Sequence, residues 1–191
     1  MKKYELTEET TNIFGKTLHR IRATRDFSNV HAGDLGGFIE NELNLSHDRD
    51  TWVYGNAWVY GNAWVYGEAR VYGNAWVYGE ARVGGNALVS GDARVGGKAL
   101  VSGNALVYGN ALVKGTRDIY WISCIGSRDG TTTFFRNANN GISVSCGCFY
   151  GTIDEFAAAV TKTHGDNEHA QAYRHAIEIA KLRIKLTDAE S

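Results

Sequence analysis

Proline is absent from this chain of 191 residues, cysteine is scarce at three, and neither sign of charge is in surplus. An odd, small number of cysteines excludes a disulfide framework and fits a reducing cytoplasm, the expected location. No run of about 18 apolar residues occurs, so no membrane-spanning helix and no membrane partner are expected. The opening stretch, MKKYELTEETTNIFG, lacks the apolar segment of a secretory signal. Lys and Arg number 20 against 21 Asp and Glu, a net charge of −1. That balance excludes the basic field behind non-specific nucleic-acid binding, so nucleic acid is not an expected partner. Disorder is excluded too, because 43% of the residues are hydrophobic. The length suits one compact domain or two small ones.

What is present is a repeat. From Trp52 the sequence returns every six residues, beginning WVYGNA, WVYGNA, WVYGEA and RVYGNA. Valine holds one column from Val53 to Val113, glycine a second from Gly55 to Gly115, and alanine a third from Ala57 to Ala111. An α-helix would smear the valines around its surface, since six residues make about 1.67 turns. A flat strand would be broken by the recurrent glycine. A solenoid with short flat sides and a corner every six residues satisfies all three columns. Valine, stiff and suited to strands, points inward. Alanine fills the tight space beside each corner, and Gly followed by Asn, Asp or Glu makes the turn. Three sides give about 18 residues per coil, a parallel β-helix of between three and four coils stacked about 4.8 Å apart.

The Val-x-Gly-x-Ala rows resemble the hexapeptide repeats of left-handed β-helix proteins, many of which are trimeric acyltransferases. That resemblance implies the left hand. The segments RDFSNV and AGDLGGFIE, followed by the aromatic rows, are similar to the start of a YdcK-like group of bacterial and phage proteins labelled hexapeptide-repeat transferases by analogy. The likeness covers about residues 15–115. Residues 1–50 are expected to be an N-terminal capping segment, with His19–Glu40 read as a strand, a turn and a Gly-rich lead-in. Residues 51–116 form the β-helix.

Residues 117–191 read as a small C-terminal β-β-β-α-α domain. Its strands are expected at Ile119–Ile125, Thr131–Arg136 and Ile142–Phe149, the last with Cys146 and Cys148 on one face. Thr152 and Glu155 form a capping box for a helix to about Thr163. Asp166 or Asn167 caps a longer helix to about Leu186. The domain resembles C-terminal domains of phage-encoded proteins, a likeness that implies no activity.

Acyl transfer would need a histidine base. The six histidines are His19, His31, His47, His164, His169 and His175, and none falls between residues 48 and 163. The repeats therefore carry no base and no imidazole set for a metal. His164, His169 and His175 read as solvated surface, because spacings of five and six do not share a helix face. Cys146 and Cys148 read as small buried hydrophobes. No cofactor and no metal are expected.

The outward columns are richer. Trp52, Tyr54, Trp58, Tyr60, Trp64, Tyr66, Arg70, Tyr72, Trp76, Tyr78 and Arg82 are the candidate interface or binding residues. Three readings stay open for them: contacts between subunits of a homotrimer, cover by the terminal segments, or a stacking platform for a ligand. Ser127, Arg128, Thr132 and Arg136, with Thr131 and Thr133, form a weaker anion-binding set around a hairpin. The chain is thus expected to be a non-catalytic oligomeric binding protein. If phage-encoded, it could act in counter-defence, sequestering a nucleotide-like ligand or blocking a host protein. The alternative is an acyltransferase acting on a sugar or amine, with His19, His31 or His47 as base.

Overall fold

A computed structural model describes residues 2–186. Eleven two-residue strands repeat through the centre: β4 (Trp52–Val53), β5 (Trp58–Val59), β6 (Trp64–Val65), β7 (Arg70–Val71), β8 (Trp76–Val77), β9 (Arg82–Val83), β10 (Leu88–Val89), β11 (Arg94–Val95), β12 (Leu100–Val101), β13 (Leu106–Val107) and β14 (Leu112–Val113). Each pairs in parallel with the strand 18 residues away, as in Val53 with Val71 and Val59 with Val77. Three sides result, stacked into a β-solenoid of about four turns. Every valine and alanine of the two columns is buried, and together they form one continuous core.

The corners show why glycine is needed. Gly85 has φ +61°, and a Cβ there would meet the backbone of Gly103 in the next coil at 2.8 Å. Positive φ and close stacking of coils coincide, so any side chain is both strained and crowded.

Upstream, β1 (Tyr4–Ile13) and β2 (Lys16–Ala23) form a hairpin, and β3 (Leu35–Ile39) leads into the first coil. Phe38 and Ile39 pair with Trp58 and Val59, and Leu45 bridges to Val65. Ile39 and Leu45 thus fill inward positions that valine holds later. The hairpin continues one side into a seven-stranded sheet, β1-β2-β3-β5-β8-β11-β14, with β1 at its edge. A single turn of 3-10 helix at Glu42–Asn44 turns the chain, and the Asn44 amide donates to the carbonyls of Gly61 and Ala63.

Downstream, β15 (Ile119–Ile125), β16 (Gly130–Arg136), β17 (Ile142–Cys146) and β18 (Phe149–Thr152) make an antiparallel sheet, followed by α1 (Ile153–His164) and α2 (Glu168–Arg183). The expected third strand is in fact two. Gly147, at φ +57°, reverses the chain so that Cys146 pairs with Phe149. Cys148 therefore stands exposed on the turn instead of sharing a face with Cys146. Alternation splits the sheet between two neighbours. Ile119 and Phe135 join the solenoid core, whereas Phe134 and Val144 pack beneath the helices. The Thr152–Glu155 capping box opens α1, and Asn167 caps the start of α2, which ends at Arg183 with Ile184 as its C-cap.

Candidate functional site

The outward columns do not behave alike on the three sides. On the seven-stranded sheet, Trp58 and Trp76 stack at 5.0 Å and 12° between planes. The Arg94 guanidinium lies 4.6 Å from the centre of the Trp76 ring. At the other end Phe38 pairs with Trp58, and the Arg20 guanidinium lies 4.4 Å from the Phe38 ring. Each cation faces one ring, Arg94 that of Trp76 and Arg20, also ion-paired to Glu9 at 2.8 Å, that of Phe38, a placement that favours the charges through the ring faces. Beside them Tyr60 and Tyr78 stack at 5.6 Å, and Tyr60 is buried together with Ile13, Leu18 and Phe38.

The second side is partly covered by the N-terminal segment. Tyr54 and Tyr72 stack at 4.2 Å, and their side is tied down by Tyr54 to Asn29 and Arg70 to Ser28 hydrogen bonds. Burial, with the neighbouring Tyr72 next, pushes the Tyr54 hydroxyl up to about 12. Trp52 corrects the expectation of an outward ring. It is 1% exposed, edge-on to Phe27 at 5.4 Å and packed beside Tyr4. The third side carries Trp64, 42% exposed and stacked on Tyr66 at 4.3 Å, with an exposed Arg82 below.

Two glycines missed as part of this surface hold it flat. A Cβ on Gly84 would strike the ring of Tyr66, and one on Gly96 the ring of Tyr78. Reading the columns at a spacing of 18 shows the signal: where a tyrosine folds down onto the next coil, the tyrosine of that coil is replaced by glycine.

A second concave site lies where the C-terminal unit meets the solenoid. It is a cleft of about 850 Å³ between the β15–β16 turn, the β17–β18 turn, α1, Tyr173 of α2 and the solenoid residues Asn104 and Leu106. Ser127, Arg128 and Thr131 line it. Thr132 is fully buried beside it and donates to the Cys146 sulfur at 3.1 Å. Arg136 is not part of the cleft; it faces Asp118 at 3.9 Å. The weaker anion-binding set is therefore divided. Burial, then the Cys146 thiol, pushes the Tyr173 hydroxyl far above its ordinary value. Gly126, at φ +77°, leaves the space that the Tyr173 hydroxyl occupies.

The segments 53–67, 81–97 and 99–115 match the family of YdcK β-solenoid repeats. The solenoid is YdcK-like. None of the curated proteins matches the chain.

Of the histidines flanking the YdcK-like solenoid, His175 is exposed on α2. His19 Nδ1 lies 3.2 Å from the Thr7 carbonyl, and His31 is exposed in a loop. His47 stacks on Tyr4 at 4.2 Å, accepts the Lys3 N–H, and is held below the usual imidazole range by burial. His164 and His169 depart from the solvated reading. Both are half-buried with rings 5.7 Å apart, because the short turn between the helices brings them together. Among the described residues no cluster of His, Cys, Asp or Glu is arranged to hold a metal ion, and no helix is long and apolar enough to cross a membrane.

Proposed function

We propose that this is a non-catalytic binding protein that self-associates through the outer side of its seven-stranded sheet. The observation that carries the reading is the half-buried Trp58–Trp76 stack on this side, with the Arg94 guanidinium over the Trp76 ring. Trp, Tyr and Arg are the residues that dominate interface energetics. Size favours the same side. Seven strands about 4.8 Å apart and about six residues wide offer about 600 Å², approaching the roughly 800 Å² per partner of a stable interface. The three- and four-stranded sides offer about half of that.

The occupant is a second copy of the chain, closing around a threefold axis as a homotrimer. In this reading a phage-borne member would act in counter-defence by sequestering a ligand or a host protein at the assembled surface, without turnover. Light scattering is expected to report a trimer for the native chain and a monomer for Trp58→Ala/Trp76→Ala, with the circular dichroism of the fold unchanged. A native monomer would refute the interface. Acetyl-coenzyme A turnover that is lost on replacing His31 or His47 would put the acyltransferase in its place.

A further inference from the structure

The geometry points to the cleft beneath α1 as a binding site for a small amphiphilic anion, an apolar, ring-sized body carrying one sulfonate, carboxylate or phosphate group. The volume of about 850 Å³ falls in the range of small-molecule pockets. Leu106, Phe149, Phe156 and Val160 supply apolar wall on several sides. The charged end is set by Arg128. It sits on the β15–β16 turn at the cleft mouth and makes no ion pair or hydrogen bond among the described residues. The neighbouring Asp129 also lines the mouth, but its carboxylate forms no ion pair with Arg128. An anion in the cleft would meet the Arg128 guanidinium, for which planar, bidentate pairing is available, and Ser127 lines the same turn.

The floor is polar and preformed. The Cys146 sulfur lies between the Thr132 hydroxyl at 3.1 Å and the Tyr173 hydroxyl at 3.6 Å, and His164 flanks the Tyr173 ring at 5.8 Å. Thr132 and Cys146 are held by the sheet, Tyr173 by α2 and His164 by the end of α1. The cleft shares no residue with the sheet side proposed for self-association, and the inference stands without that reading.

Anilinonaphthalene sulfonate is the probe, titrated by fluorescence into the full chain. Saturable binding at one site per chain is expected, weakened about tenfold by Arg128→Gln through loss of the charge-assisted contact. Ala159→Trp, which fills the cleft from α1, is expected to abolish it. Uncharged phenyl-naphthylamine is expected to bind more weakly than the sulfonate and to be indifferent to Arg128→Gln. In a Cys124→Ser background the bound sulfonate should also slow alkylation of the exposed Cys148 by iodoacetamide, a readout that needs no cleft variant. Absence of saturable binding overturns the inference. So does sulfonate binding that survives both substitutions, uncharged probe that binds as tightly as the sulfonate, or Cys148 reactivity indifferent to the probe.

Discussion

At the scale of the residue, the same side chain meets different fates according to what lies one coil below it. Tyr54 and Tyr60 stack on tyrosines, whereas Tyr66 and Tyr78 fold over glycines. Gly84→Ala would drive a methyl group into the Tyr66 ring and is expected to cost about 1–3 kcal/mol, the usual range for overpacking. Pairing it with Tyr66→Ala should restore most of that loss in denaturant unfolding. Lys3 is the other residue set by its surroundings. It is fully buried, donating to the Thr51 carbonyl at 2.7 Å, and burial, then the nearby Arg25, lowers its pKa to about 8. The folded state therefore releases a proton that the unfolded chain holds until about pH 10.5. Stability should rise between pH 8 and 10.5 relative to Lys3→Met, and thermal unfolding across that window measures it. A flat difference would mean that Lys3 keeps its ordinary affinity for the proton.

At the scale of the element, the terminal units solve the problem that every solenoid has at its ends: a bare hydrophobic layer and unpaired strand edges. The β1–β2 hairpin pairs with β3 and places Ile21 and Tyr4 in the core, so removing it strips cover from Trp52 and frees the edge of β3. Deletion of residues 2–23 is expected to yield soluble aggregates by light scattering, with the repeat region still giving a β signal. Glu40 fastens the hairpin to the coil by accepting from Lys16 at 2.6 Å and from the Gly61 N–H at 2.7 Å. Burial alone would raise the carboxyl, but these bonds outweigh it and hold it below the usual range. The latch is thus lost only when the pH falls through that lowered value.

At the scale of the whole molecule, stability is close to a sum over coils and their neighbours. Duplicating residues 58–75 adds one full coil in register, keeps each tyrosine from Tyr54 to Tyr78 over a tyrosine, glycine or serine, and lengthens the rod by about 4.8 Å. Scattering should report that extension with an unfolding temperature no lower than that of the native chain. Duplicating only residues 70–75 would turn the C-terminal unit by a third of a circle against the columns above it. That variant should lose stability. Equal behaviour of the two would contradict the 18-residue register.

The solenoid is legible along the chain because each column repeats the same demand: an inward valine, a small alanine and a corner glycine. The neighbours of any repeat residue are then known from positions 18 away, and the Trp58–Trp76 and Tyr60–Tyr78 stacks follow from that spacing. What happens outside the period depends on contacts between segments far apart in the chain. Trp52 belongs to the same column as Arg70, yet it is buried, since Tyr4 and Phe27 arrive over it from segments with no repeat. The fourth C-terminal strand hinges on one backbone reversal at Gly147. The cleft gathers residues from Asn86 to Tyr173, brought together by packing between units and not by any spacing along the chain.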